Sequence, residues 1–340
     1  MRAIQLTELR HPLHLVTLPG PEPGPGEVLV RIEACGICHS DAHYRRGFGS
    51  LTLPRTPGHE IAGVIERCGT GVDLAPGTRV ALHYLISCGK CDRCLRAGEQ
   101  FCRHGAMIGK DRDGGYAEAI VVPARNAVPV PDNVPLAHAA VMMCSTATAF
   151  HALRLAGMVA GDSVALLGFG GLGASALQLG RALGASTIAA IDVVEDKIAF
   201  AERQGAVGID ASRTDFPESL ARFGGAHGID IALDFAGRPE ISAAALRQLA
   251  PGGRLVIVAL TREAPPFDPY RDLVGTEARI LGCSDHLRTE LVELLQMAGD
   301  GRIDLATAVS ATVPLEPAPI NAVLDDLERG TARLRTVIVR

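Results

Sequence analysis

Tryptophan is absent from this 340-residue chain, and all aromatic residues together make up only 4% of it. A small-molecule pocket built from such a composition is expected to be lined with aliphatic side chains. No apolar run approaches the ~18 residues of a membrane-spanning helix. The opening residues Met1-Arg2-Ala3-Ile4-Gln5-Leu6 carry no basic stretch followed by a long apolar segment, so they read as a strand rather than a secretory signal. Charge of one sign is not in excess either. The formal net charge is −5, with acidic and basic residues mixed along the chain, which gives no electrostatic footprint for nucleic acid or an anionic membrane surface. There is no internal repeat and no low-complexity segment. What is present is a 47% hydrophobic fraction with a mean hydropathy of +0.20, in a chain long enough for two domains with substantial cores. The nine cysteines are an odd number, and four fall in one cluster with metal-ligand spacing. Both facts favour reduced thiols in a cytoplasm over a disulfide framework.

Two patterns divide the chain. Up to about residue 145, short apolar runs alternate with glycine and proline: Val28 to Ile32, Ile61 to Glu66, Thr78 to Leu82 and Ala117 to Val122. Close-spaced short strands of this kind predict a compact β-barrel-like domain whose surface loops can carry functional groups. From about residue 160, continuous apolar runs alternate with helical segments. Val164 to Leu167, Ile188 to Ile191, Ile229 to Leu233 and Arg254 to Leu260 read as strands buried on both faces. Gly171 to Leu183, Glu195 to Gln204 and Pro239 to Leu249 read as helices. This is the pattern of a doubly wound parallel sheet. Near Cys283 the chain leaves that sheet, and a helix from about Arg288 to Ala298 and closing strands through Val339 are expected to return to the first domain. The predicted division is 1–145 with 286–340, and 146–285.

Three constellations carry chemistry. The first is Cys38-His39-Ser40-Asp41-Ala42-His43 with His59-Glu60 and the distant Cys144. Taken singly, Cys38 and Cys144 would be small buried hydrophobes and His59 a satisfied core histidine. Together, two thiolates and one imidazole are the protein ligands of an open zinc site whose fourth position is left for substrate or water. Asp41 is the natural carboxylate to orient the ligating imidazole. Glu60 is either an outer carboxylate or a ligand in a transient geometry. The second is Cys88, Cys91, Cys94 and Cys102, four thiols within a polar loop at about 86–104. Iron–sulfur spacing with its three-residue gap and proline is missing, as are the surrounding basic and aromatic residues of a nucleic-acid finger. A redox pair would leave two cysteines unexplained. A closed structural zinc site is the better fit. The third is Gly168-Phe169-Gly170-Gly171-Leu172-Gly173, after a buried strand and at the start of a helix, the context of a dinucleotide turn. Gly168 permits the tight turn, Gly170 lets backbone approach a pyrophosphate, and Gly173 allows helix and strand to pack closely. Asp192 ends the next strand about twenty residues on, where a carboxylate binds ribose hydroxyls. No arginine follows it to neutralise a 2′-phosphate, so NAD is favoured over NADP.

These motifs, in this order and across essentially the whole chain, resemble the zinc-dependent medium-chain alcohol dehydrogenases, whose known catalytic ligand set is two cysteines and one histidine. The resemblance implies a GroES-like β-barrel catalytic domain built from both ends of the chain around a Rossmann NAD-binding domain. It implies two zinc ions per subunit, one catalytic on Cys38, His59 and Cys144, one structural on the four-cysteine lobe. The implied reaction is reversible hydride transfer between an alcohol and NAD. Ser40 would contact the alcohol and pass its proton through the nicotinamide ribose to His43. His39 and Arg335 are implied at the pyrophosphate, Asp192 and Lys197 at the adenosine ribose, Val258 and Leu260 at the cofactor, and Tyr84, with Leu260, in the pocket lining. Polyol, threonine and formaldehyde dehydrogenases are near alternatives, and a non-catalytic NAD- and zinc-binding regulator a distant one. Cys144, where polyol-type members carry a carboxylate, tilts the substrate towards simple alcohols. A cytoplasmic homo-oligomer, a tetramer rather than a dimer, is implied too. Cys35, Cys68 and Cys283 are expected in the core.

Overall fold

The computed structural model describes residues 1–340 apart from 307 and 333. The chain divides into two units, Met1–Ala147 with Leu287–Arg340, and Thr148–His286.

The first unit is organised on the strand Glu27–Ile37, which is long enough to take three partners. Glu60–Cys68 runs antiparallel along one side. The other side is shared: Ala119–Pro123 pairs with its first half and Arg335–Val339 with its last residues. Register shifts between Leu29 and Val30 and between Ile32 and Ala34 mark where the strand bends, since a bulge sharpens local twist. Arg79–Leu82, Ala127–Pro129 and Val309–Pro314 complete a seven-stranded sheet. Its inward residues, among them Val30, Ile61, Ile65, Val80, Leu82 and Ile338, form one apolar core that Ile4 of a separate two-stranded sheet joins. The strand Glu27–Ile37 therefore ends in a well-anchored frame, immediately before Cys38.

The second unit is a six-stranded parallel sheet in the order Val207–Asp210, Thr187–Asp192, Ser163–Leu167, Ile229–Asp234, Leu249–Ile257, Arg279–Gly282. Numbered by sequence this is 3-2-1-4-5-6, in which strand order reverses between Ser163–Leu167 and Ile229–Asp234, the point where such sheets bind ligands. Ser163–Leu167 is buried along its whole length, as a central strand covered on both faces must be. The continuous apolar run was therefore a sound strand signal.

Several segments differ from expectation. The strand placed at Arg254 to Leu260 runs from Leu249 to Ile257, leaving Leu260 outside it and 70% exposed. The helices Phe216–Gly224 and Pro317–Arg329 were not foreseen, and each has proline in its first turn. There the missing N–H is no loss, so a residue usually taken as a breaker marks a start. Cys35 is buried, but Cys68 and Cys283 are only half-buried. Cys68 ends its strand, and its thiol donates to the Leu74 carbonyl. The run Leu136–Leu155 is helical, and by length and composition could cross a membrane, but 67% of its apolar window is buried within the protein. It is a core helix that polar Ser145, Thr146 and His151 interrupt in sequence.

Candidate active site

The metal-type donors of the first unit come from three elements. Cys38 follows the strand Glu27–Ile37 and caps the helix His39–Arg45. His59 ends a loop and Glu60 opens the strand Glu60–Cys68 that follows it. Cys144 lies in a π-helical turn, Met142–Thr146, within the helical run from Leu136, a local widening that recurs at functional sites. Ligand atoms of Cys38, His59, Glu60 and Cys144 all lie within 4.8 Å of one another. The Cys38 and Cys144 sulfurs are 4.0 Å apart. Zinc–sulfur bonds of ~2.3 Å at tetrahedral angles place two thiolates about 3.8 Å apart, so the pair fits a shared zinc ion.

Asp41 builds the surroundings of this cluster. Its buried carboxylate accepts the Cys38 N–H at 2.9 Å, the Gly58 N–H at 3.2 Å and the Tyr116 hydroxyl at 3.0 Å. Oδ1 also lies 3.5 Å from His59 Nδ1. Gly58 has a φ of +93°, and any Cβ there would strike the Tyr116 ring and the Cys35 sulfur. Electrostatics follow from burial. The hydrogen bond between the two thiols holds Cys38 well below the ordinary thiol range and raises Cys144. Burial disfavours charge on His59, yet Asp41 and Cys38 together outweigh it and raise that imidazole well above its usual value. Burial pushes Glu60 up to about 7 against the opposing pull of Arg335.

Arg335 is also buried, with its guanidinium hydrogen-bonded to Glu60 Oε1. Among the described residues its Nε has no hydrogen-bond partner, and neither does Glu60 Oε2. The residue expected at a pyrophosphate is thus placed beside the metal-type cluster, on a partner that sequence reasoning did not assign to it. Ser40 Oγ lies 3.8 Å from the Cys38 sulfur. His43, one turn further along the same helix, is half-buried and packs between His39, at 4.6 Å between ring centroids, and Phe48, at 5.5 Å. His39 is exposed. Burial first, and His39 second, lower the His43 pKa. Tyr84 is buried with its ring edge-on to His59 at 5.1 Å.

The four-cysteine lobe has little core of its own. Neither the helix Asp92–Leu95 nor the turn Glu99–Phe101 buries a residue. Its sulfurs converge instead: Cys91 to Cys94 at 3.5 Å, Cys91 to Cys102 at 3.9 Å and Cys88 to Cys94 at 4.0 Å. These bracket the ~3.8 Å edge of a tetrahedral zinc–thiolate site. Backbone N–H groups of Cys88 and His104 point at the Cys102 sulfur and that of Cys91 at the Cys88 sulfur, as thiolates require. Glu99 ties the lobe down, accepting from Arg125 and from the Arg288 backbone.

In the second unit the glycine turn follows Leu167 directly. Gly168 has a φ of +98° and packs against Ala236, so that a Cβ would lie 3.1 Å from it. A Cβ on Gly173 would meet the Gly168 carbonyl at 2.6 Å, whereas one on Gly170 would meet nothing within 4 Å. Gly173 is thus a packing glycine, and Gly170 borders open space at the start of the helix Gly171–Ala182. With Gly171 and Leu172 half-buried in the first turn, this cradle fits a dinucleotide phosphate at a helix N-terminus. Asp192 closes one side, accepting the Phe169, Val193 and Val194 N–H groups. Lys197 Nζ stands 3.9 Å from it. Val258, half-buried, lies just past the strand Leu249–Ile257, its N–H donated to the Asp234 carbonyl.

Comparison with known proteins agrees with this geometry. Residues 24–132 match the alcohol dehydrogenase GroES-like domain, and residues 171–299 match the zinc-binding dehydrogenase domain. An alcohol dehydrogenase of Geobacillus stearothermophilus is 35% identical over 344 residues, spanning 99% of each chain. The chain belongs to the zinc-dependent medium-chain alcohol dehydrogenase family. An NAD-dependent alcohol dehydrogenase of Sulfurisphaera tokodaii is similar to this family member at 32% identity over the full length of both chains. The crystal structure of the alcohol dehydrogenase from the archaeon Aeropyrum pernix matches it with a TM-score of 0.89 and 31% identity, covering 100% of both chains.

Two residues of this dehydrogenase were missed in the sequence. Tyr116 reaches Asp41 from 75 positions away, and nothing local marks it. Asp234, buried at the end of the strand Ile229–Asp234, accepts the Ala236 and Gly237 N–H groups and the Ser242 hydroxyl. It thereby shapes the turn that faces Gly168. A buried aspartate ending an apolar strand was the available signal.

Proposed function

We propose that this chain is an NAD-dependent alcohol dehydrogenase that interconverts a primary or secondary alcohol with its aldehyde or ketone. The observation that carries the proposal is the convergence of Cys38, His59 and Cys144 within 4.8 Å, with a serine hydroxyl beside it, in a chain that also has a dinucleotide turn. When bound, zinc supplies Lewis-acid polarisation of the substrate oxygen, and NAD supplies the hydride acceptor. Cys38, His59 and Cys144 are the residues to hold the catalytic ion, and Cys88, Cys91, Cys94 and Cys102 a second, structural one. Asp41 fixes the His59 ring, and Glu60 keeps a carboxylate in reserve beside the ligands, held by Arg335.

Ser40 Oγ takes up the proton that the alcohol gives up as it releases its own hydroxyl proton, and His43 delivers the released proton to solvent. A lowered His43 pKa suits this role, because the ring is neutral and able to accept a proton throughout the neutral range. Asp192 selects NAD by taking up the space and charge that a 2′-phosphate would need, with Lys197 beside it. Gly168, Gly170, Gly171, Leu172 and Gly173 receive the pyrophosphate, with His39 as a cationic contact, while the Arg335 guanidinium is engaged by Glu60. Val258 and Leu260 flank the cofactor, and Tyr84 limits the substrate pocket.

The first unit serves as the GroES-like catalytic domain, with its lobe at 86–104, and the second as the Rossmann domain. Nine cysteines, with no disulfide among the described residues, suit a cytoplasmic protein. Arg279–Gly282 is an edge strand, and Leu260, Tyr270 and Val274 are each at least 67% exposed. That edge and those apolar side chains support a homo-oligomer, with a tetramer favoured. The test combines zinc counting by elemental analysis with NADH absorbance across primary, secondary and aromatic alcohols, polyols, threonine and formaldehyde. Two zinc ions per chain with fastest turnover of a simple alcohol is the expected result. Two zinc ions and no turnover of any of these would instead support a non-catalytic NAD- and zinc-binding regulator.

A further inference from the structure

We propose that Tyr116 is a positioning residue of the catalytic metal centre, acting through Asp41. The inference rests on reading Cys38, His59 and Cys144 as zinc ligands and adds a residue to that site.

Tyr116 is 0% exposed, and the Asp41 carboxylate accepts its hydroxyl at 3.0 Å. The same Oδ2 accepts the Cys38 N–H, while Oδ1 accepts the Gly58 N–H and faces His59. One carboxylate therefore fixes two ligand-bearing segments, and Tyr116 is the side chain that fixes the carboxylate. A buried carboxylate with its lone pairs filled has one orientation, and each hydrogen bond removed frees it to turn.

The backbone ties Tyr116 to the same loop. Its N–H donates to the Pro57 carbonyl at 3.0 Å, Gly115 N–H to the Gly58 carbonyl at 2.8 Å, and Gly114 N–H to the Thr56 carbonyl at 2.8 Å. The ring also occupies the space a side chain at Gly58 would need. Tyr116 thus sets the path of the chain immediately before His59 with its ring and backbone, and the orientation of Asp41 with its hydroxyl. Phenylalanine would do the first and not the second. The hydroxyl is then a separable device aimed at the metal centre.

Partners that directly orient a metal-ligating histidine are worth ~10–100-fold in metal affinity. Tyr116 stands one step further out, so Tyr116→Phe is expected to weaken the catalytic ion by roughly tenfold at most and by more than threefold. The measurement is chelator competition on the zinc-loaded protein, with the four-cysteine ion as the internal control, together with the visible spectrum after cobalt exchange at the catalytic site. The expected result is selective weakening of the catalytic ion, a shifted cobalt band, an unchanged four-cysteine ion and near-native thermal stability. A double-mutant cycle with Asp41→Asn adds a second check. If Tyr116 acts through Asp41, Tyr116→Phe should have little further effect in the Asp41→Asn background. Retention of the catalytic ion within twofold of the parent with an unchanged cobalt spectrum would overturn the proposal, as would losses that simply add in the double variant. A parent protein that binds only the four-cysteine ion would overturn both this role and the zinc-site reading, and is recognised before any variant is made.

Discussion

Gly170 and Gly173 stand three residues apart in one turn, yet the same substitution should act on them in opposite ways. At Gly173 an added methyl would meet the Gly168 carbonyl at 2.6 Å. That atom is backbone, fixed by the central strand before it, and cannot move aside cheaply. Overpacking of this kind costs about 1–3 kcal/mol. For a unit of this size that lowers Tm by roughly 3–10 °C. At Gly170 a methyl meets nothing within 4 Å, and the residue's φ of −99° is open to alanine. Gly170→Ala should therefore keep its stability, or gain about 0.4–1 kcal/mol from a less flexible unfolded chain. The methyl would instead intrude where a pyrophosphate must approach the backbone. Losing one charge-assisted hydrogen bond of ~1.5–3 kcal/mol weakens NAD by about 10–100-fold. Thermal melts without cofactor and NADH fluorescence titration separate the two effects. If Gly170→Ala binds NADH as tightly as the parent, the open face of this turn is not the phosphate site, and the reasoning fails.

Cys102→Ser should remove one zinc ion per chain and speed proteolysis within 88–104, because that lobe buries no residue in its helix or its 3₁₀ turn; limited proteolysis with metal analysis checks this. His43→Gln should change the acid side of the pH profile of alcohol oxidation. Because burial lowers the His43 pKa, the parent should hold its activity below the ordinary value of ~6.5 and lose it only as pH falls through the lowered value, whereas the variant should lack that titration. The same sign holds for stability: the unfolded chain binds the extra proton, so the contribution is present above ~6.5 and lost as pH falls through the folded value. Asp192→Gly should relax the preference for NAD over NADP, read from the ratio of kcat/KM values for the two cofactors; an unchanged ratio would remove Asp192 from the cofactor site. Arg45→Met should destabilise the fold by about 1–3 kcal/mol, between the values for exposed and buried pairs. Its guanidinium is 8% exposed and holds Glu328 and Asp325 of the helix Pro317–Arg329; a denaturant melt gives the difference.

Much of this protein was legible in one dimension because some signals are local. The run Val164 to Leu167 is apolar without alternation, and a strand covered on both faces is the structure that uses it. The spacing of Cys88, Cys91, Cys94 and Cys102 is a short-range constraint that a tetrahedral ion imposes on nearby thiols, and those sulfurs lie where the spacing implies. Gly168 and Gly173 are recognisable because backbone geometry there admits no side chain. Where local signals misled, the cause was also local. The helices Phe216–Gly224 and Pro317–Arg329 were passed over although each has proline in its first turn, the same kind of start that was read at Pro239. The apolar stretch to Leu260 overran its strand because hydrophobicity alone does not say where pairing stops.

Tertiary structure alone decided who stands next to whom across long loops. Arg335 carries no mark that it will be buried on Glu60, 275 positions away, and only the family resemblance placed it at a pyrophosphate. Tyr116 looks like any core tyrosine until its hydroxyl is found on Asp41. Residue types and short spacings determined which donors and which turns this chain possesses, because those depend on covalent neighbours. The orientation of each donor depends on hydrogen bonds and packing between segments whose closeness is set by the folded sheet, and no sequence separation records that distance.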